Sequence, residues 1–165
     1  MRLKMISAMA AALLLAACAS DEAAKTGDAN AAGGTTNNGI TQGAVTPGSV
    51  EDFQQNVGDR VFFETDRYDL SAEAQSQLQK QAGWLKQYPA VTVTIEGHCD
   101  ERGTREYNLA LGERRANAVA NYLTALGVDA GRLSVISYGK ERPQCTDSNE
   151  ACWAQNRRGV TSVNK

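Results

Sequence analysis

The chain has 165 residues, 42% of them hydrophobic, and a formal net charge of -2. That is room for one domain of ordinary size plus length that need not fold. With no basic stripe and no aromatics interleaved among Lys and Arg, nothing here would displace counterions from a phosphate backbone, which argues against nucleic acid as a partner.

Arg2 and Lys4 give the chain a positive start, and the run from Met5 to Ala17 is apolar apart from Ser7. Residues 1–17 therefore read as a secretory signal, shorter than the roughly 20 apolar residues a spanning helix needs. Leu15-Ala16-Ala17-Cys18 resembles a bacterial lipobox. The resemblance implies cleavage before Cys18, with diacylglycerol and an N-acyl chain such as palmitate on that cysteine. An ordinary signal peptide with an incidental cysteine is the alternative. Ala19, not Asp, follows Cys18, which in Gram-negative lipoproteins implies passage to the outer membrane. Each buried acyl methylene contributes about 0.8 kcal/mol, so such an anchor needs no transmembrane helix. Residues 18–49 are rich in Ala, Gly, Thr and Asn, with Ile40 and Val45 as the large apolar residues before the first helix. They cannot offset their ordering entropy by burial and read as a lipidated, disordered tether. As a flexible coil it would span roughly 30 Å.

Residues 50–165 form the folded domain in this reading. Val50 to Val57 is a short helix candidate, Arg60 to Glu64 a strand, and Asp66 to Leu70 a turn. Ser71 suits the N-cap of a helix whose core face is Ala74, Leu78, Ala82 and Leu85, with Trp84 and Tyr88 beside it and Pro89 as the stop. Val91 to Ile95 alternates as a half-buried strand that Gly97 would end. The charged loop after it holds Asp100, Glu101 and Arg102. Next, Leu111, Ala116, Val119, Ala120, Leu123 and Leu126 recur at helical spacing up to a C-cap at Gly127. Arg132 to Tyr138 is a third strand, the segment after it an irregular loop, and Gly159 to Val163 a weaker fourth strand. The order predicts a two-layer α+β domain, a mixed sheet of about four strands packed against helices.

Of the four cysteines, Cys18 is claimed by the lipobox. Cys145 and Cys152 flank a polar loop that has no core of its own, and export makes a bridge between them permissible. Cys99 is left over and reads as a small buried residue. His98 is the one histidine, too few for a metal site, and as neighbours on a strand His98 and Cys99 point to opposite faces and cannot act as a thiol and its base. The glycines lack phosphate-loop spacing. Neither a metal, a cofactor nor catalysis is expected. Binding is easier to motivate: Asp100 in the loop and Arg115 on the helix offer one acidic and one basic group to a zwitterionic ligand through charge-assisted hydrogen bonds. The alternative is that the two simply pair with each other.

The stretch GHCDERGTREYNLALGERRANAV resembles the OmpA-like peptidoglycan-binding domain. The family pattern Asn-x-x-Leu-[Ser/Gly]-x-x-Arg-Ala-x-x-Val is met at Asn108, Leu111, Gly112, Arg115, Ala116 and Val119. The match continues in VFFETDRYDLS, SYGKERP and Asn156-Arg157-Arg158. With the lipobox and tether, the resemblance is to the lipoprotein branch of that family. It implies non-covalent binding of the peptidoglycan stem peptide through meso-diaminopimelate, with Asp100 taking the ammonium and Arg115 the carboxylate. Asn108, Thr104 and Leu111 would shape the pocket, Phe63 would contribute to it, and Glu64, where relatives commonly have Asp, would be a second pocket acid. Arg157 and Arg158 would serve either the pocket or the fold. The branch also implies TolB as a periplasmic partner and a role in tethering the outer membrane to the wall during division. An interaction module mainly for TolB, with weak wall contact, is the alternative. The loop between Cys145 and Cys152 is not a general feature of the family.

Overall fold

The computed structural model describes residues 45–164. The signal sequence, Cys18 and all but the end of the tether lie outside the described residues.

The domain opens with α1 (Val50–Asp52), which runs into a π-helical turn over Phe53–Val57. Strand β1 is Arg60–Phe62. Helix α2, Ala72–Gln87, starts where the Ser71 hydroxyl accepts the Ala74 amide at 3.2 Å. Its expected face, Ala74, Leu78, Ala82 and Leu85, is buried. Trp84 stacks between Phe53 and Tyr88, with ring centroids 4.8 and 4.7 Å away, and its indole N–H donates to Asp52 at 2.8 Å. Fully burying a side chain such as Leu78, Leu85 or Phe53 contributes about 1.5–3 kcal/mol.

Strand β2 is Val93–His98, helix α3 is Arg105–Ala125 and strand β3 is Leu133–Gly139. Strands β2 and β3 pair in parallel, so α3 is the crossover that joins them. Gly97 does not end the strand, as the sequence suggested. It pairs with Ser137 on one side and Gly159 on the other. A Cβ at Gly97 would lie 1.8 Å from the Gly112 carbonyl oxygen, and one at Gly112 would lie 2.4 Å from Ser137 Oγ. The glycines are there because α3 crosses the sheet backbone to backbone. At the far end of α3, Gly127 adopts φ +91° and its amide bonds the Thr124 carbonyl at 2.9 Å, the left-handed stop expected.

The segment between β3 and the last strand is not wholly irregular. It contains α4, Glu150–Asn156, capped by the Asn149 side chain, which accepts the Cys152 amide at 3.0 Å. Cys145 and Cys152 form the disulfide, with Cα atoms 5.2 Å apart, and so pin this helix to the loop before it. Strand β4, Arg158–Val163, has the weakest sequence signal yet is an interior strand. The order is β1-β4-β2-β3, with β4 antiparallel to both neighbours. The result is a mixed, open four-stranded sheet with α2 and α3 packed on it, the two-layer α+β arrangement expected. Among the described residues no helix is long and apolar enough to cross a membrane.

Candidate functional site

Where β2 ends, the chain turns through residues 99–104 and enters α3. Asn108, itself 2% exposed, holds this turn: its Nδ2 donates to the carbonyls of Arg102 at 2.7 Å and Thr104 at 3.1 Å. Lys140 braces it from outside by donating to the carbonyls of Glu101 and Gly103. Thr104 is the N-cap of α3, its hydroxyl accepting the Tyr107 amide at 3.2 Å. Between this turn, α3 and the loop after β1 lies a cleft of about 330 Å3. Asp100, Asn108, Leu111 and Arg115 line it, together with Thr65, Asp66, Cys99, Arg102, Gly103 and Tyr107. The Tyr107 hydroxyl donates to Asp66 and links the two walls.

Arg115 is fully buried, an expensive place for a charge unless its donors are satisfied. They are met by backbone carbonyls: Nε donates to Arg67 at 2.8 Å, Nη1 to His98 at 2.9 Å and Nη2 to Glu64 at 3.1 Å. The guanidinium also stands 5.2 Å from the Phe63 ring. Burial pushes its pKa down. The three carbonyls take three of the five donors a guanidinium carries, and Arg115 is among the residues that line the cleft.

Asp100 does not use Arg115 as its partner. Its carboxylate is held by Arg102, with Nη2 at 2.6 Å, Nε at 3.2 Å and the backbone amide at 3.1 Å, and by Arg157 Nη1 at 3.4 Å. Burial pushes the Asp100 carboxyl up, but the Arg102 and Arg157 hydrogen bonds outweigh it and the net direction is down. Arg157 in turn bonds Glu150 of α4 at 2.6 Å and the Phe63 carbonyl at 3.0 Å. The Arg102 guanidinium lies 4.3 Å from the Trp153 ring centroid, and the Trp153 indole donates to Glu101 at 2.9 Å. The cleft is therefore lined by a carboxylate and by a buried arginine that are not bonded to each other. A small molecule carrying both charges is what such a pair can hold.

Of the residues singled out from the sequence, Asp100, Asn108, Leu111 and Arg115 meet in the cleft, whereas Thr104 caps α3 and does not line it. Phe63 is buried beneath Arg115. Glu64 enters the site only as a carbonyl. Glu64 lines a separate hollow with Phe62, Phe63, Asp69, Ser71 and Arg157. Arg157 serves Asp100 directly, whereas buried Arg158 donates to the carbonyls of Asn156 and Arg142. Sequence reasoning did not assign Arg102, Asp66, Tyr107 or Trp153 to the site. Only Arg102 carried a local signal, standing two residues after Asp100, where its amide reaches that carboxylate. Cys99 is 2% exposed and donates to the Asn108 carbonyl at 3.3 Å. Burial pushes its thiol pKa up, which disfavours a reactive thiolate. Among the described residues no group of three or more His, Cys, Asp and Glu is placed to hold a metal ion.

Residues 62–157 match the OmpA family. A peptidoglycan-associated lipoprotein of Agrobacterium fabrum is 52% identical over 94% of this chain and 85% of its own length. One from Brucella melitensis is 56% identical over 76% of this chain and 75% of its own. The crystal structure of the peptidoglycan-associated lipoprotein from Burkholderia pseudomallei superposes with a TM-score of 0.66 at 39% identity, covering 70% of this chain and all of that one. This chain belongs to the OmpA family and, within it, to the peptidoglycan-associated lipoproteins.

Proposed function

We propose that this chain is a lipid-anchored protein of the outer membrane whose periplasmic domain binds peptidoglycan without catalysis. In this reading the ligand is the meso-diaminopimelate residue of the stem peptide, whose side chain ends in an ammonium and a carboxylate on one carbon. Asp100 takes the ammonium and Arg115 the carboxylate, while Asn108, Thr104 and Leu111 set the shape of the cleft. Phe63 backs Arg115, and Glu64 supports the site through its backbone. The observation that carries this is the cleft itself, with a carboxylate and a buried guanidinium lining it and each held by other partners. Cys18 would bear the acyl chains, and the tether would let the domain reach the wall while TolB competes for overlapping surface. Through this the protein would join the Tol-Pal system and the division process that system serves.

Co-sedimentation with purified sacculi tests the proposal. Asp100→Ala is expected to abolish sedimentation, and walls whose stem peptides carry lysine in place of diaminopimelate, a side chain with the ammonium but without the carboxylate, should bind weakly because Arg115 loses its counterpart. Unchanged sedimentation of Asp100→Ala, or equal binding to both wall types, would overturn the assigned pocket. Titrating TolB against sacculi is expected to give mutual exclusion.

A further inference from the structure

Asp100 is already occupied. The Arg102 guanidinium grips its carboxylate with two N–H bonds, at 2.6 and 3.2 Å. An incoming ammonium must therefore displace a cation that belongs to the protein, or share the carboxylate with it. Arg102 can leave: its side chain is 39% exposed, whereas Asp100 at 9%, in the wall of the cleft, and Arg157 at 5%, behind it, are buried. It also has somewhere to remain. Its guanidinium lies against the Trp153 ring at 4.3 Å, and that ring is fixed by its own bond to Glu101. Trp153 sits on α4 one residue after Cys152, so the disulfide anchors the platform.

We propose that Arg102 is an internal competitor for the ammonium site at Asp100, and that Trp153 is the positioning residue that carries its guanidinium once the ligand has displaced it. This rests on the reading of the cleft as an ammonium and carboxylate site. In the free protein Arg102 keeps Asp100 charged and oriented. On binding it gives up the carboxylate and keeps the aromatic face, so the exchange trades one cation for another without leaving Asp100 bare. A neutral or weakly basic group cannot drive that exchange, so Arg102 raises selectivity for a true ammonium at the expense of affinity.

Calorimetric titration of the full chain in detergent with the tripeptide L-Ala-D-Glu-meso-diaminopimelate tests this. Arg102→Met, which keeps length and removes charge, is expected to tighten binding about three- to tenfold. The gain should vanish when the side-chain amine of the diaminopimelate residue is acetylated. Trp153→Ala should weaken binding about two- to fivefold in the natural background, and by clearly less in the Arg102→Met background, where only its bond to Glu101 remains to be lost. A purely structural role for either side chain would give losses that add. Unchanged or weaker binding by Arg102→Met, with Asp100→Ala still abolishing it, overturns the competitor role and leaves the cleft assignment standing. If the unmodified chain fails to bind the tripeptide, or Asp100→Ala binds it as before, the cleft assignment falls and this inference with it.

Discussion

Arg115 is the residue whose replacement tests most directly how the cleft is built. Consider Arg115→Lys. The positive charge survives, but the planar fork that serves the carbonyls of Arg67, His98 and Glu64 is replaced by a single ammonium on a shorter stem. One of these three carbonyls can keep a donor. The other two are left without one beneath a side chain that is fully buried, and each unpaired buried group costs about 1–3 kcal/mol. The expected loss is about 2–6 kcal/mol, a large share of the ~5–15 kcal/mol that holds a small domain together. Urea unfolding followed by far-UV circular dichroism measures it. The midpoint should fall with little change in slope, since the surface exposed on unfolding is nearly the same. The guanidinium fork, with Arg102 and Arg157, ties the loop after β1 to the end of β2. Sacculus binding by Arg115→Lys should therefore drop further than loss of one ligand contact explains. A stability within about 0.5 kcal/mol of the natural chain, the scatter of a neutral surface change, would refute the claim that Arg115 builds the site as well as lining it.

Gly97→Ala should prevent folding or cost more than about 4 kcal/mol, because the new methyl would fall 1.8 Å from a backbone oxygen of α3 and neither backbone can yield; soluble yield and thermal melting report it. Replacing both Cys145 and Cys152 by Ser should lower stability by about 2.5 kcal/mol for so short a loop, and a melt run with and without reductant checks that the natural chain loses the same amount. Burial, followed by the Arg158 and Arg142 guanidiniums, pushes the His98 pKa down from 6.5 to about 4. The unfolded chain then takes up a proton below about pH 6.5 that the folded chain refuses until about pH 4, so stability falls as pH drops through that window. The full effect is about 3 kcal/mol, and His98→Gln should remove that part of the pH slope; an identical slope in the variant would show that other groups cause it.

The sequence alone determined the elements whose signals are local. Ser71 and Gly127 mark helix ends through bonds made within a turn of themselves, and Leu78, Leu85, Val119 and Leu123 declare their buried faces by spacing. The motif around Asp100 and Arg115 identified the family for the same reason, since its residues lie close together in the chain. Tertiary structure decided what depends on distant partners. Gly97 looks like a strand end until α3 is seen lying on it. The weakly marked β4 becomes an interior strand because β1 and β2 both pair with it. The short helix α4 forms within a segment that has few apolar residues, and Arg157, which caps its end, bonds Glu150 at its start while reaching the distant Phe63 carbonyl. Above all, charge spacing left open whether Asp100 and Arg115 would pair. Packing resolves it by giving Arg115 carbonyls from residues 64, 67 and 98 and giving Asp100 the guanidiniums of Arg102 and Arg157. A side chain's electrostatic partner is chosen by where the fold leaves it and by what burial makes costly to leave unpaired, and neither is written in its neighbours along the chain.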